Sequence, residues 1–240
     1  MSKLERPSKR KLTESRPIEA EAGVIEQADG SARFKIGDTE AYAAVYGPRE
    51  LHPRFLQDPK KGVLRCNYNM MPFSGDGSRV RPGPSRRSKE ISMVTEKALL
   101  PVIDLTDYPN TVVDVYIDLP QTDAGSRCAG ICAASMALAD AGLKMKDMVA
   151  AVAVGKVRGE IIVDLDGAEE HMDENEGTDI PVGLVPSTDE ITLLQMDGKI
   201  SKEEFINAIE MVKPALREIA NKQREALKSK YNIEPAGERK

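Results

Sequence analysis

Residues 121–130 read QTDAGSRCAG, at a point where a strand-like pattern gives way to a helical one. Gly125 lets the backbone turn closely there, and the N–H groups of a first helical turn, which no helix can satisfy internally, form an anion site. Arg127 adds a planar fork of donors matched to phosphate oxygens, with the Ser126 hydroxyl beside it. The same residues also fit an ordinary loop with a serine cap and a surface arginine. A second stretch, HMDENEGTDIPVGLV over residues 171–185, sets Asp173 and Asp179 ahead of an apolar strand. Hard oxygen donors without a thiolate suit magnesium or manganese rather than zinc. An acidic surface loop is the alternative, and Glu169, Glu170, Glu174 and Glu176 read as its solvated part. A third stretch is the pair Arg86 and Arg87 after SRVRPGPS. Adjacent guanidinium groups at the positive end of a helix can hold successive phosphodiesters without reading sequence, or can simply solubilise a surface. Tyr68, on the preceding strand pattern, offers a ring for base stacking or for strand packing.

The elements that must position these groups follow from periodicity. From Ile18 onward IEAEAGVIEQ, ARFKIG and DTEAYAAVYGP are short β-like runs separated by glycine-containing turns, an antiparallel pattern to which Val63–Met70 adds a strand. Pro84 and Ser85 introduce a helix whose apolar residues Ile91, Val94, Ala98 and Val102 recur at three- and four-residue steps. In TVVDVYIDL, Val113, Val115, Ile117 and Leu119 face one way and Val112, Asp114, Tyr116 and Asp118 the other. A helix of small residues follows and ends at Gly142. The second half repeats this grammar: MVAAVAVGKV, a turn at Arg158 and Gly159, EIIVDL, the acidic loop, IPVGLV, EITLLQM, and a long helix striped by Phe205, Ile209, Val212, Leu216, Ile219 and Leu227. Two strand-rich halves closed by helices predict an α+β fold with internal structural duplication. The boundaries expected are a basic N-terminal arm over 1–16, a first lobe over 17–147, and a second lobe over 148–240 carrying the acidic loop and the long helix. The arm reads as extended, or as a disordered solubilising tail.

Composition narrows the function. The chain has 240 residues, 40% of them hydrophobic, enough for a core, so global disorder is excluded. No run of about 18 apolar residues occurs and the first thirty residues are polar, so a soluble, cytoplasmic protein with no membrane partner is expected. Cys66, Cys128 and Cys132 are too few and wrongly spaced for a disulfide framework and read as reduced, partly buried thiols. With only His52 and His171, mechanisms needing a histidine base or a multi-histidine metal site have few candidates. The net charge of −5 hides segregation: residues 49–89 carry +7 and residues 160–190 carry −11. A polyanion can sit on the first region and a divalent cation in the second.

Taken in order, the motifs resemble those of the RNase PH family, and within it the catalytic RNase PH-like subunits of archaeal exosomes. The resemblance runs over roughly residues 6–225 through RPSKR, DGSARFKIGDTEAYAAVYGPRE, NYNMMPFS, PSRRSKEIS, TDAGSRCAG, the DENEGTD loop with IPVGLV, and LLQMDGKIS. It implies duplicated β-α-β lobes of the RNase PH type (ribosomal protein S5 domain 2-like), assembled into a hexameric ring with a central RNA channel. Position by position, it implies phosphate binding at Gly125, Ser126 and Arg127, catalytic and metal-binding roles for Asp173 and Asp179, RNA contacts from Arg86 and Arg87, a stacking position at Tyr68 and a neck-loop contact at Arg65. SRRSKEIS, where RNase PH proper has a glutamine-containing helix start, favours the exosome subunit over the homohexameric enzyme of transfer-RNA 3′ ends. Retention of both aspartates and the arginine disfavours the inactive ring paralogue.

The implied activity is phosphate-dependent 3′-to-5′ exoribonuclease action on single-stranded RNA, releasing nucleoside diphosphates and reversible as 3′ nucleotide addition. Inorganic phosphate, the co-substrate, is already an anion, so scarcity of histidine is no obstacle. Mg2+ or Mn2+ on Asp173 and Asp179 would stabilise charge, or Asp173 would protonate the leaving oxygen. The implied partners are an inactive paralogue, in a ring of three heterodimers, and S1-domain cap subunits. Two other readings remain open here: a non-catalytic RNA-binding ring scaffold, and a divalent-cation-binding interaction module suggested by the −11 segment.

Overall fold

Alternating side chains in Ile18–Ala22 (β1), Gly30–Ile36 (β2) and Thr39–Glu50 (β3) give one buried and one open face, and the three pair as an antiparallel meander. The computed structural model describes residues 6–76, 80–173 and 177–231, with Asp173 described for its backbone only. Val63–Met70 (β4) leads into Arg86–Leu99 (α1) and then Thr111–Gln121 (β5). Parallel neighbours need a crossover connection, which α1 supplies, and β4 pairs parallel with β5, so the first sheet, ordered β1-β2-β3-β5-β4, is mixed rather than antiparallel throughout. Ser85 caps α1 by a reciprocal bond pair with Ser88, and Ile91, Thr95, Ala98 and Leu99 bury its inner face.

The small-residue helix, Ser126–Asp140 (α2), is buried at every position except Arg127 and Ala139. It packs on the first sheet and also on the second, formed by Ala150–Val157 (β6), Glu160–Val163 (β7), Thr178–Val185 (β8) and Glu190–Leu194 (β9) in the order β7-β6-β8-β9. The β6–β7 hairpin turns on Arg158 and Gly159, both at positive φ, as a two-residue turn of matching twist requires. Between β7 and β8 lies a short helix, Gly167–Glu170 (α3), started by a capping box of Asp166 and Glu169. The final helix, Lys202–Tyr231 (α4), buries Val212, Leu216 and Ile219 of the expected stripe, with Phe205, Ile209 and Leu227 partly buried beside them. Among the described residues no helix is long and apolar enough to cross a membrane.

The basic arm needs correcting for residues 6–16. Arg6 is 3% exposed and holds Glu169 by Nε and Nη2 at 2.6 and 2.8 Å, with Asp164 O accepting a further bond at 2.9 Å. Arg10 reaches Asp164 and Asp166, and Arg16 reaches Asp164 at 2.8 and 3.0 Å. The segment is neither an extended arm nor a free tail, because its guanidinium groups neutralise acids of the second lobe. Glu169, read as solvated, is 1% exposed for the same reason. Asp114, on the opposite face of β5 from Val113 and Val115, is 0% exposed and takes two arginines.

Two outcomes follow from this packing. Arg6→Met leaves Glu169 buried beside a lost partner, and should cost about 3–5 kcal/mol in chemical denaturation, while Arg217→Met, which breaks the exposed pair with Asp189, should cost less than about 1 kcal/mol. Similar losses for the two would refute the distinction. All three cysteines are free and buried, and burial pushes the Cys132 thiol up to about 12. Alkylation by iodoacetamide should therefore be slow in the folded chain and complete only on unfolding.

Candidate active site

β5 ends at Gln121 and the chain turns into α2 through Ala124 and Gly125, both left-handed at φ +56 and +64. Gly125 is the N-cap residue, so the unpaired N–H groups of the first turn point out of the helix start beside Ser126 and Arg127. The loop is held from three sides. Thr39 Oγ1 donates to Asp123 O and Ala124 O and accepts from Asp123 N at 2.8 Å; Arg16 Nη1 donates to Asp123 O; and Gly167 N, at the start of α3, donates to Asp123 Oδ1 at 2.9 Å. The last contact ties the loop of the first lobe to the acidic segment of the second.

Asp179, the second residue of β8, lies between Gly155 of β6 and Asp197, with which it exchanges both backbone bonds at 2.9 Å, and this fixes its Cα near the start of the strand. Its Oδ1 is buried without a hydrogen-bond partner. Burial pushes this carboxyl up; the charges of Arg127 and Arg87 pull it down and that of Asp197 pushes it up. Arg87, Gly125, Ser126, Arg127, Glu170 and Asp179 line one cavity of about 120 Å³. It adjoins a wider space of about 430 Å³ that Arg87, Arg127, Glu170 and Asp179 also border.

The structure thus brings together Gly125, Ser126, Arg127, Arg87 and Asp179 from three distant stretches. Among the described residues, the other expected site residues do not line this cavity. Arg86 is exposed and does not line this cavity. Arg65 donates to both oxygens of Asp114, which Arg49 shares, so its charge is already engaged. The stacking expectation for Tyr68 is corrected: the residue is 3% exposed, and its ring packs so close to α2 that a Cβ on Gly130 would sit 3.3 Å from Cε2. Too little of the ring is open to carry a base. Its hydroxyl is buried without a partner at bonding geometry, and burial raises the phenol pKa, an effect eased by the nearby Ser126 and by the charges of Arg87 and Arg127. The Asp173 side chain lies outside the described residues.

Reading the sequence missed Glu170. Burial pushes its carboxyl up and the charge of Asp179 adds to this, which ties it electrostatically to the site although one side of the residue is open to solvent. The available signal was the Asp166–Glu169 capping box, which makes residues 167–170 helical and directs Glu169 and Glu170 to different neighbours. A spacing count through a loop could not see it. Gln195 was also missed: its Oε1 accepts from Arg127 Nη1 at 2.5 Å.

Whether these residues suit a divalent cation can be judged from the donors. Among the described residues no three of His, Cys, Asp and Glu converge as a ligand set. Asp179, with an unpartnered buried oxygen, is a hard donor beside this cavity. It fits a magnesium-like ion, which characteristically binds one or two carboxylates and completes its shell with phosphate oxygens and water.

Comparison with known proteins agrees with this architecture. Models of the 3′ exoribonuclease family match residues 14–144 (domain 1) and 147–213 (domain 2). Among curated relatives, "Exosome complex component Rrp41" of Thermococcus kodakarensis is 51% identical over 222 residues, covering 92% of this chain and 88% of that protein. The protein of the same name from Methanopyrus kandleri is 49% identical over 222 residues, covering 92% and 91%. The one from Thermoplasma volcanium is 46% identical over 225 residues, covering 94% and 89%. A solved structure of rice Rrp46 superposes with a TM-score of 0.81 at 25% identity, covering 93% of this chain and 100% of that one. On both the domain matches and these identities, the chain belongs to the RNase PH family of 3′ exoribonucleases.

Proposed function

We propose that this chain is the phosphorolytic 3′-to-5′ exoribonuclease of an exosome ring, working on single-stranded RNA in the cytoplasm. The observation that carries the reading is the shared cavity that a helix N-terminus with Ser126 and Arg127 lines together with Asp179, whose carboxylate has one buried oxygen without a partner. Inorganic phosphate fits the helix start, where Gly125 permits close approach and Arg127 offers several N–H donors. Arg87 borders both that cavity and the wider space, and so suits the terminal phosphodiester. Arg86, exposed beside it, suits the next phosphate outward.

A phosphate oxygen attacks the last phosphorus of the RNA; its bond to the preceding 3′ oxygen breaks, and the terminal nucleotide leaves as a diphosphate. The departing oxygen takes up one proton to become the new 3′ hydroxyl, and Glu170 is the carboxyl whose position suits that transfer. A divalent cation, Mg2+ or Mn2+, held through Asp179 would supply charge stabilisation at the reacting phosphorus. Because a phosphodiester is exchanged for a phosphoanhydride, excess diphosphate should drive nucleotide addition at the same site. The expected assembly is a ring of three heterodimers with an inactive paralogue, capped by S1-domain subunits. The relatives named as exosome components support a multi-subunit setting.

Labelled RNA incubated with the assembled protein should decay only when inorganic phosphate is present and should yield nucleoside diphosphates. Equal decay to monophosphates without phosphate would overturn the mechanism. Arg127→Glu should abolish turnover, and Asp179→Asn should lower it by about 10²–10³ with RNA binding retained. Glu170→Gln should cost more turnover than Asp173→Asn; the reverse order would return to Asp173 the role that its spacing from Asp179 first suggested.

A further inference from the structure

Arg127 is one of the two residues of α2 that are not buried, and its guanidinium must stay directed into the cavity when no anion is there to hold it. Its Nη1 donates to the side-chain oxygen of Gln195, in the other lobe, at 2.5 Å. Gln195 follows β9 directly, and its own backbone N–H donates to Pro181 O at 3.2 Å. Two residues further, Asp197 is locked to Asp179 by their paired backbone bonds. The amide oxygen is therefore anchored to the strand that carries Asp179, and Arg127, Asp179 and Gln195 border one space of about 330 Å³.

We infer that Gln195 is a positioning residue for phosphate binding: as a neutral acceptor it takes one donor of Arg127 and keeps the guanidinium from collapsing onto Asp179. The inference rests on the reading of Arg127 as the phosphate anchor. Its chemistry is specific to an amide. An arginine carries five N–H donors, so one bond to Gln195 leaves the others for an anion. Without that acceptor, the carboxylate of Asp179, which borders the same space, is the alternative partner. An arginine–carboxylate pair is strong and would close the anion site. An acidic side chain in place of Gln195 would do the same, by cancelling the charge that phosphate needs.

The test uses the full chain in the assembly in which it degrades RNA. Gln195→Met keeps side-chain length and removes the acceptor. Its phosphate KM should rise about tenfold or more, the range expected for losing a hydrogen bond to a charged group. The KM for RNA and the melting temperature should stay unchanged, a split that a general packing defect would not give. Gln195→Glu, which keeps both acceptor and size, should also raise the phosphate KM, and it carries the test if the methionine variant fails to assemble. A wild-type phosphate KM in the folded variants overturns the positioning role. Arg127→Ala, measured alongside, separates the two readings: full phosphate-dependent activity in that variant would remove the anchor itself, whereas its inactivity beside a normal Gln195→Met would remove only the role of Gln195.

Discussion

The charge on Arg16 must be neutralised where it lies, since its side chain is 6% exposed and water cannot do it. Asp164 of the second lobe meets it with both carboxylate oxygens, and the backbone oxygen of Asp123, in the loop before α2, meets it from the first. One guanidinium thus spans the two stretches that have to face each other across the cavity. Asp123 in turn accepts from Gly167, three residues before Glu170, so the loop before α2 and the short acidic helix share a hydrogen-bonded frame. Residues in one such network couple, and a change at any of them is felt at the others.

Close packing of α2 makes the rest possible. Its alanines, glycine and cysteines allow both sheets to approach one helix; a Cβ on Gly130 would already press on Tyr68 and Ile117 at 3.3 Å. Gly30 is tighter still, with space for a Cβ only 2.2 Å from the backbone nitrogen of Ala141. A helix that near both sheets brings its N-terminal arginine within reach of β8 and of the residue after β9. Larger side chains on α2 would separate Arg127 from Asp179 and Gln195 together.

Element types were legible because their signals are local. The Ser85 cap, the Arg158–Gly159 turn and the stripe of α4 each depend on neighbours in sequence, and each formed as read. What escaped was long-range pairing of charge. Arg6 and Glu169 are 163 residues apart, and nothing near either one announces the other. The arm therefore read as free basic charge and the segment around Glu169 as free acid, although each largely cancels the other. The parallel pairing of β4 with β5 escaped for a related reason, since alternation tells which face is buried but not which neighbour a strand will take. In the site, residues at a helix start were readable, whereas Glu170 and Gln195 matter through contacts that only the fold creates.

The remaining problem is one of sign. On the proposed mechanism two phosphate groups meet in a cavity bordered by two guanidinium groups, Arg87 and Arg127, and by two carboxyl groups, Glu170 and Asp179. Unit charges 4 Å apart interact by about 4 kcal/mol at the effective dielectric of a partly buried site. Acids in an anion site would on that scale oppose both substrates. For Asp179 the sign would reverse with a doubly positive ion beside it, which would convert that carboxylate from a repulsive neighbour into a ligand and leave the arginines to the phosphates. The unpartnered oxygen of Asp179 is where that conversion would begin, whereas the carboxylates of Asp123 and Asp164 in the frame beside it are already bonded. A histidine would add little here: the nucleophile arrives ionised, and what the site must supply is counter-charge rather than a base.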